Sequence, residues 1–515
     1  MPAQRRAHKI ISNAIYNLIP QLWFLGLTVF TTPFVLHKLG VDAYGILSIV
    51  TIMAGYLAFL DLGLNVAVIR FIAAHDAKGE TEEIIRVIET ALFVFLSMAA
   101  LTAAALFFLS TVFARLLSVP DGLQSEAVLA LRLGAVSFGI NLVMGIFSAV
   151  PRALQRFDIV NLLNVVIGTL QIVVTVLLLA FGKGLIAVVL WGVSLSGLSL
   201  VIYIIIAKRL LPAMSFRPRF DSEKFSELFK FSGFVMASNF TGVASAHSEK
   251  LILGGLAPIA QVTYYTVPFN LASRVLTLIP NNLFTVLFPA FSAMSVTDNL
   301  EAIREAYTRA FRFIFIAVAP ISVLMIVFGS DLLKLWIDEE MGKNGGPILA
   351  CLAVAVLINA PAWVSVTLGQ SMGRPALVAI SQMIHLVALV VCGLILVPFY
   401  GAFGAALAWL AGNCIGIPVL VLLVNRYALS FSTAEMLKST LLRPCAAMCF
   451  TLFLAIMLKP LVHGVLSLAL AAVAVTAFYA ALTYLITLNL KDKEIFKSFV
   501  ADRLRLPPKV VKEQA

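Results

Sequence analysis

The residues that could do chemistry in this sequence are ionisable and amide side chains set inside long apolar stretches. Arg274 lies near the middle of one, with Asn270 and Ser273 beside it and Asn281 and Asn282 following. A charge at bilayer depth costs roughly 2.5–3.5 kcal/mol on insertion scales, so it faces a cavity or a partner. A cation fixed there either attracts an anion or is tied to carbonyls or a carboxylate of a neighbouring helix. Glu249 and Lys250 are adjacent, which places them about 100° apart on a helix, with Asn239 and His247 earlier in the same stretch. Two placements are open. Lys250 points inward as an anion ligand with Glu249 as its partner, or both lie at the interface and snorkel. Arg132 stands early in its own stretch, where an interfacial position competes with an inward one.

Amides form a second group. Asn13, Asn17 and Gln21 recur at i, i+4 and i+8, one stripe down a helix, and Asn164, Gln171 and Thr175 fall at similar spacing. An amide both donates and accepts, which suits sugar hydroxyls as well as bonds between helices. Gln382 and His385 make a comparable pair, and Asp61 closes an apolar stretch, as a coupling-ion ligand or a helix cap. Cys351, Cys392, Cys414, Cys445 and Cys449 all fall in or beside apolar segments, which implies neither a disulfide framework nor a metal site. No GxxxxGK[ST] phosphate loop and no DxD motif occurs. No cofactor is expected.

The elements that must position these groups follow from composition. Of 515 residues, 61% are hydrophobic and 12% charged, against about 25% charged in soluble domains. Repeated apolar runs of roughly 20 residues, without alternation, predict an all-α polytopic membrane protein. Fourteen spans are expected. In the first half they run near Ala14–Leu36, Tyr44–Leu64, Ile88–Leu109, Val128–Val150, Ile159–Phe181 and Leu185–Ala207. The rest lie near Ser232–Leu256, Val262–Phe291, Thr308–Gly329, Pro347–Gln370, Ala376–Pro398, Ala402–Val424, Ser439–Leu458 and Val465–Asn489. The start, with Arg5, Arg6, His8 and Lys9 before a long apolar run, resembles a signal peptide in outline but reads as the first span.

With both termini cytoplasmic, about 28 of the 37 basic residues fall on the inside. The net charge of +11 therefore sets topology, and no nucleic-acid partner is implied. The stretch from Lys208 to Phe231, with six basic residues, Pro212 and Pro218, reads as a cytoplasmic connector, either a lipid-facing topogenic loop or a docking surface. The expected layout is a six-helix bundle over 1–210, the connector over 211–231, a second six-helix bundle over 232–430, two further helices over 431–490 and a basic tail over 491–515. DLLKLWID, Asp331–Asp338, reads as an interfacial segment on the outer side or a frayed helix end.

A shift of about 217–220 residues aligns the two halves, as expected of a transporter built from parallel repeats. LHKLGVDAYGI from Leu36 faces GGLAPIAQVTYYTV from Gly254, RALQRFD around Gln155 faces GQSMGRP around Ser371, Gly184 faces Gly401, and Trp191 faces Trp409. Such a repeat places an axis along the membrane normal with a central cavity between the halves. Gly412 with Gly416, and Gly192 with Ser196, read as helix-packing pairs inside the bundle.

LHKLGVDAYGILSIVTIMAGYLAFLDLGLNVAVIRFIAAHDAKGE, from Leu36 to Glu80, resembles the N-terminal signature of the polysaccharide-exporter and O-antigen flippase family, within the multidrug/oligosaccharidyl-lipid/polysaccharide (MOP) flippases. The resemblance implies a bacterial or archaeal inner-membrane protein that moves polyprenyl-diphosphate-linked oligosaccharide to the outer leaflet by alternating access. It implies the bilayer, the lipid-linked substrate, and a polysaccharide polymerase and chain-length regulator as partners. On this reading Arg274, Lys250 and Arg132 meet the diphosphate or sugar acids, Asn13, Asn17 and Gln21 meet sugars, Asn270 beside Arg274 is a further substrate-binding residue, and Asp61 or Glu249 meets a coupling ion. The related lipid II flippases concentrate basic residues in their first two spans; here the interior of both has none, which argues against that substrate. The alternative on the same fold is a cation-coupled multidrug antiporter. Enzymatic readings, a glycosyltransferase or a polymerase, lack a motif or an outer loop long enough for a catalytic domain.

Overall fold

The computed structural model describes residues 2–57, 64–117, 119–214, 216–295 and 300–487. Its described residues are helical, with no strand among them. In chain order the helices are α1 (Pro2–Leu39), α2 (Val41–Leu57), α3 (Leu64–Asp76), α4 (Thr81–Leu116), α5 (Gln124–Ala153), α6 (Phe157–Ala180), α7 (Leu185–Leu210) and α8 (Ser222–Leu256). They continue as α9 (Ile259–Leu278), α10 (Pro280–Ser295), α11 (Leu300–Trp336), α12 (Glu339–Ser371), α13 (Pro375–Val424), α14 (Thr433–Leu458) and α15 (Val465–Leu482). The described helices include ten candidate membrane spans by length and apolar content. One of these, Pro375–Leu429, carries both the eleventh and twelfth expected spans, because α13 breaks at Gly401, whose φ of +53° lies in the left-handed region. The expected second, seventh and eighth spans are not among the ten. The second falls partly on residues 58–63, outside the described residues; the eighth is divided, α9 from α10; and the seventh, within α8, carries Asn239, Ser245, His247, Glu249 and Lys250 in its sequence. The segment Asp331–Asp338 is no separate interfacial element. It continues α11 to Trp336, and Asp338 then caps α12 by accepting from the Met341 N–H at 2.8 Å.

The repeat is visible helix by helix. A shift of 218 carries Val41 to Ile259 and Phe157 to Pro375, the first residues of α2, α9, α6 and α13. The turn after α5 and the turn after α12 are the same turn. Gln155 (φ +56°) and Gly373 (φ +71°), 218 residues apart, are both left-handed. Arg156 N donates to Pro151 O, and Arg374 N to Gly369 O, each at 2.8 Å. Glycine fits that conformation without strain; the first half holds it with glutamine.

The chain divides into two compact units, Met1–Leu271 with Pro375–Leu420, and Ala272–Arg374 with Val421–Ala515. In the first, α3, α4, α5 and α7 share a core of Val68, Ile72, Ile88, Phe95, Ile146 and Tyr203. In the second, Val323 and Phe328 of α11 pack with Ala455 of α14 and Val475 of α15. Lipid tails are as apolar as these side chains, so close approach of backbones carries much of the packing energy. Gly412 and Gly416 provide it within α13: a Cβ at Gly416 would meet His385 Cβ at 2.6 Å, and one at Gly412 would meet His385 Cε1 at 3.1 Å. Gly342 and Gly346 do the same for α12 against Ser330 and Lys334 of α11. Gly192 has no neighbour within 4 Å of its virtual Cβ. Its companion Ser196 acts through its hydroxyl instead, 3.0 Å from Ser137 Oγ and 3.2 Å from Asn141 Nδ2 on α5.

The basic connector is packed against its own first unit. Asp221 caps α8 by accepting from the N–H groups of Glu223 and Lys224. Arg86 of α4 donates to Asp221 at 2.6 Å and to Glu83 at 2.9 Å, while Lys224 pairs with Glu83 at 2.7 Å and Glu227 at 3.1 Å. Phe216 lies against Phe147, and Phe220 against Phe93 and Phe225. These contacts leave Phe216 45% and Phe220 51% exposed, so the segment touches its own unit and still presents apolar surface. Its aromatic residues alternate with its charges and are used for docking.

Candidate functional site

The charged pair of α8 and the aromatic pair of α9 form a buried cluster in the first unit. Glu249 is 0% exposed and Lys250 4%. Being about 100° apart on the helix, they separate onto different neighbours. Lys250 Nζ lies over the Phe269 ring, 4.1 Å from its centroid. The Tyr265 hydroxyl is turned to the Glu249 carboxylate, and neither carboxylate oxygen completes a hydrogen bond. Tyr265 and Phe269, one turn apart on α9, stack on each other at 5.5 Å, and Trp409 of α13 meets Phe269 edge-on at 5.5 Å. The snorkelling placement is therefore not the one adopted. Both side chains point into protein. A cation held by a ring face rather than by a carboxylate keeps a stabilisation of about 2 kcal/mol when desolvated and can be released to an anionic ligand without breaking a salt bridge.

Farther along α9, Arg274 is half-buried and Asn270, one turn earlier, is exposed, while Ala272 and Val275 between and beyond them are buried. None of the described hydrogen bonds or ion pairs involves Arg274. Among the described residues no carbonyl or carboxylate is bonded to it, and the cation stands in the last turns of α9. Arg132 is placed otherwise. Its Nε donates to Ser110 Oγ of α4 at 3.1 Å, and its guanidinium lies 4.5 Å from the Phe107 ring centroid. It holds α5 to α4.

Gln21 is half-buried on α1. Asn13 and Asn17 belong to the same helix, but their side chains lie outside the described residues, as does Asp61 altogether. The α6 stripe is satisfied largely within its own helix, Thr175 donating to Gln171 O at 2.6 Å. What joins α1 to α6 is Trp23, donating to Thr169 at 3.0 Å, and Phe24, whose ring fills the space beside Gly168. Sequence reasoning passed over Phe269, Tyr265 and Trp409, because aromatic residues in an apolar run carry no signal until the helices are paired. The i, i+4 spacing of Tyr265 and Phe269 was the one available clue. No group of three or more His, Cys, Asp or Glu placed to hold a metal occurs among the described residues.

Known proteins share this architecture. An inward-closed structure of the lipid II flippase MurJ matches with a TM-score of 0.68 at 15% identity, covering 92% of this chain and 99% of that one. An inward-facing multidrug resistance MATE family transporter of the MOP superfamily matches with a TM-score of 0.67 at 14% identity, over 80% of this chain and 94% of that one. At these identities the likeness is one of fold. In sequence, the chain is 23% identical over 404 residues to a protein of Shigella flexneri described as "Putative O-antigen transporter", covering 78% of this chain and 94% of the relative. The family described as "Polysaccharide biosynthesis protein" matches residues 38–340, more than half of the chain. On that match the chain belongs to the polysaccharide biosynthesis protein family of multi-pass membrane proteins, with the MOP transporter fold.

Proposed function

We propose that the protein is a flippase that moves a polyprenyl-diphosphate-linked oligosaccharide across the membrane for surface polysaccharide synthesis, by alternating access. The observation that carries this reading is the family match across residues 38–340 on a MOP transporter fold. The polar groups support it. The eighth expected span is interrupted between α9 and α10, and α8 and α9 hold Glu249, Lys250 and Arg274. A substrate with an anionic diphosphate, a hydroxyl-rich glycan and an apolar tail needs cations, amides and access from lipid. Arg274, with Asn270 one turn away, is the cation assigned to the diphosphate. Lys250 serves as a further anion ligand once it leaves Phe269. Gln21, Asn13 and Asn17 are assigned to sugar, and Glu249 or Asp61 to ion coupling. Arg132 is the weakest of the set, since its donors are engaged on α4.

The reading includes a multi-pass location in the cytoplasmic (inner) membrane of a bacterium or archaeon, both termini cytoplasmic, bundles over 1–210 and 232–430, no catalytic activity, and a polymerase and chain-length regulator acting on the product. The test is a deletion strain without a second flippase. Lipid-linked oligosaccharide should be made but remain in the inner leaflet, with surface polysaccharide lost. Unchanged precursor and unchanged surface polysaccharide would overturn the assignment. The buried carboxylate of Glu249 favours a second reading, a cation-coupled drug antiporter, which requires drug sensitivity in the same strain with normal polysaccharide.

A further inference from the structure

Helix α4 carries the border between water and lipid on one face. Glu82, Arg86 and Glu89 occupy that face in the first turns, and Phe93, Leu96, Leu101, Phe107 and Phe108, all exposed, continue it. On a helix long and apolar enough to span a membrane, an exposed apolar stripe faces lipid. The change of character between Glu89 and Phe93, one turn apart, therefore lies at headgroup depth. The connector crosses α4 at that level. The Arg219 N–H donates to Glu89 O at 3.3 Å, and the Phe220 ring lies against Phe93, 5.6 Å between centroids. Phe225 and Phe229 extend the row, at 5.4 Å from Phe220 to Phe225 and 5.6 Å from Phe225 to Phe229. Since Phe216, Phe220 and Phe229 are exposed, the connector widens the lipid-facing stripe of α4 where that stripe begins.

The charges of the same segment are sorted. Its carboxylates are taken up, Asp221 and Glu223 by Arg86 and Glu227 by Lys224, and Lys208 donates to Met214 O at 2.6 Å. Arg209 and Arg219 are exposed, and none of the described hydrogen bonds or ion pairs involves either guanidinium. We propose that the connector is an interfacial anchor for anionic phospholipid in the leaflet at that end of α4. Phe216 and Phe220 enter the boundary between headgroups and acyl chains, and Arg209 and Arg219 meet lipid phosphates, which a guanidinium matches in a fork. A neutral surface would take the rings alone; the two unpaired guanidinium groups make the anchor sensitive to lipid charge. Because the Arg219 N–H and the Asp221 carboxylate both hold to α4, anionic lipid would set how firmly the connector stays on that helix.

The test uses the purified full chain in nanodiscs of phosphatidylcholine alone or with phosphatidylglycerol. Amide exchange over 216–220 should slow about twenty-five-fold when phosphatidylglycerol is present, each arginine near an anionic surface contributing roughly fivefold. Arg209→Gln with Arg219→Gln should abolish that response. Arg374→Gln with Arg426→Gln removes equal charge from the second unit and should leave the response intact. Equal loss in both double variants would make diffuse charge the cause and refute the anchor. Depth is read by spin labels on single cysteines, in a chain cleared of its native ones. With phosphatidylglycerol present, a label at Phe220→Cys should be shielded from a water-soluble nickel chelate, as one at Leu96→Cys is, whereas one at Glu82→Cys should be open to it. A label at Phe220→Cys as open as that at Glu82→Cys would place the rings in water, as a surface for a protein, and overturn the proposal.

Discussion

Thr263 donates its hydroxyl to the carbonyl of Val41 at 2.7 Å, and the same contact recurs with the roles of the two halves exchanged. A Cβ at Gly45 would lie 2.6 Å from Ile259 O and 3.2 Å from Thr263 Oγ1. Val41 and Ile259 are 218 residues apart, as are Gly45 and Thr263. Each helix therefore offers its first carbonyl to the position one turn into the other. That is how an isologous contact on a two-fold axis is built, here between repeats of one chain.

If α2 and α9 meet and part there during transport, bulk at Gly45 should block the meeting. Gly45→Leu is expected to reduce export more than tenfold at normal abundance, and Gly45→Ala to reduce it less. Thr263→Ala, which removes one hydrogen bond of about 1 kcal/mol, should have a smaller effect than either. Cysteines introduced at 41 and 263 in a chain cleared of its native cysteines should crosslink in the wild-type background and fail to do so with Gly45→Leu. Normal export by Gly45→Leu would exclude the contact from the cycle.

The connector should undock in acid. Arg86, then the N–H of Lys224, hold the Asp221 carboxyl below the usual carboxylate range, and Lys224, then Arg86, do the same for Glu83. Asp221 in turn, and then Glu83, raise the Arg86 guanidinium, which stays charged throughout. A carboxyl with a lowered folded pKa contributes stability that is complete above its unfolded value, about 4, and lost as pH falls through the folded value. Amide exchange over 216–225, corrected for the intrinsic rate, should show protection near neutrality that declines below about pH 4. Asp221→Asn with Glu83→Gln should lower protection at neutral pH and flatten that dependence. A pH response unchanged in the double variant would assign docking to the phenylalanines alone.

Lys250 and Glu249 test whether the buried pair is structural or functional. Lys250→Met removes the charge nearest to a fully buried carboxylate, and a buried charge left uncompensated costs several kcal/mol. Abundance and detergent stability should fall. Glu249→Gln should be better tolerated, and Glu249→Gln with Lys250→Met should recover abundance, because the uncompensated charge is gone. If export stays low in that recovered double variant, the pair acts in transport. Full export there would make it a packing device.

Much of this architecture was legible before the structure. The 218-residue shift shows in the turn that recurs at Gln155 and Gly373, both left-handed, whereas Gly184 and Gly401, which match in sequence, differ in backbone, φ −97° against +53°. The apolar runs locate helices because each span must satisfy its own backbone in lipid. The sites were less legible. Arg132 and Lys250 read alike in sequence, as cations in apolar runs. Only the pairing of α5 with α4 and of α8 with α9 shows that one is engaged by a serine hydroxyl and a ring and the other by a ring alone. The connector read as a topogenic loop because its charge dominates its composition, while Phe216 and Phe220 gain meaning from Phe147 and Phe93.

Arg274 gives the sharpest test of the transport reading. Its charge lies four residues from the C-terminal end of α9, in a helix the sequence places at bilayer depth, and no described hydrogen bond or ion pair involves it. On the proposed function, a cation kept there at a cost of roughly 2.5–3.5 kcal/mol serves an anion that visits rather than stays. Arg274→Lys keeps the charge but not the fork and should retain part of the export. Arg274→Gln keeps polarity but not charge and should abolish most of it, as should Arg274→Ala, with insertion and abundance normal. If the residue instead braced neighbouring helices, Ala and Gln variants would melt early in detergent in proportion to the export lost, and Lys would rescue neither. Normally abundant, fully active Ala and Gln variants would remove Arg274 from the path of the diphosphate and leave Lys250 as the cation to be tested in its place.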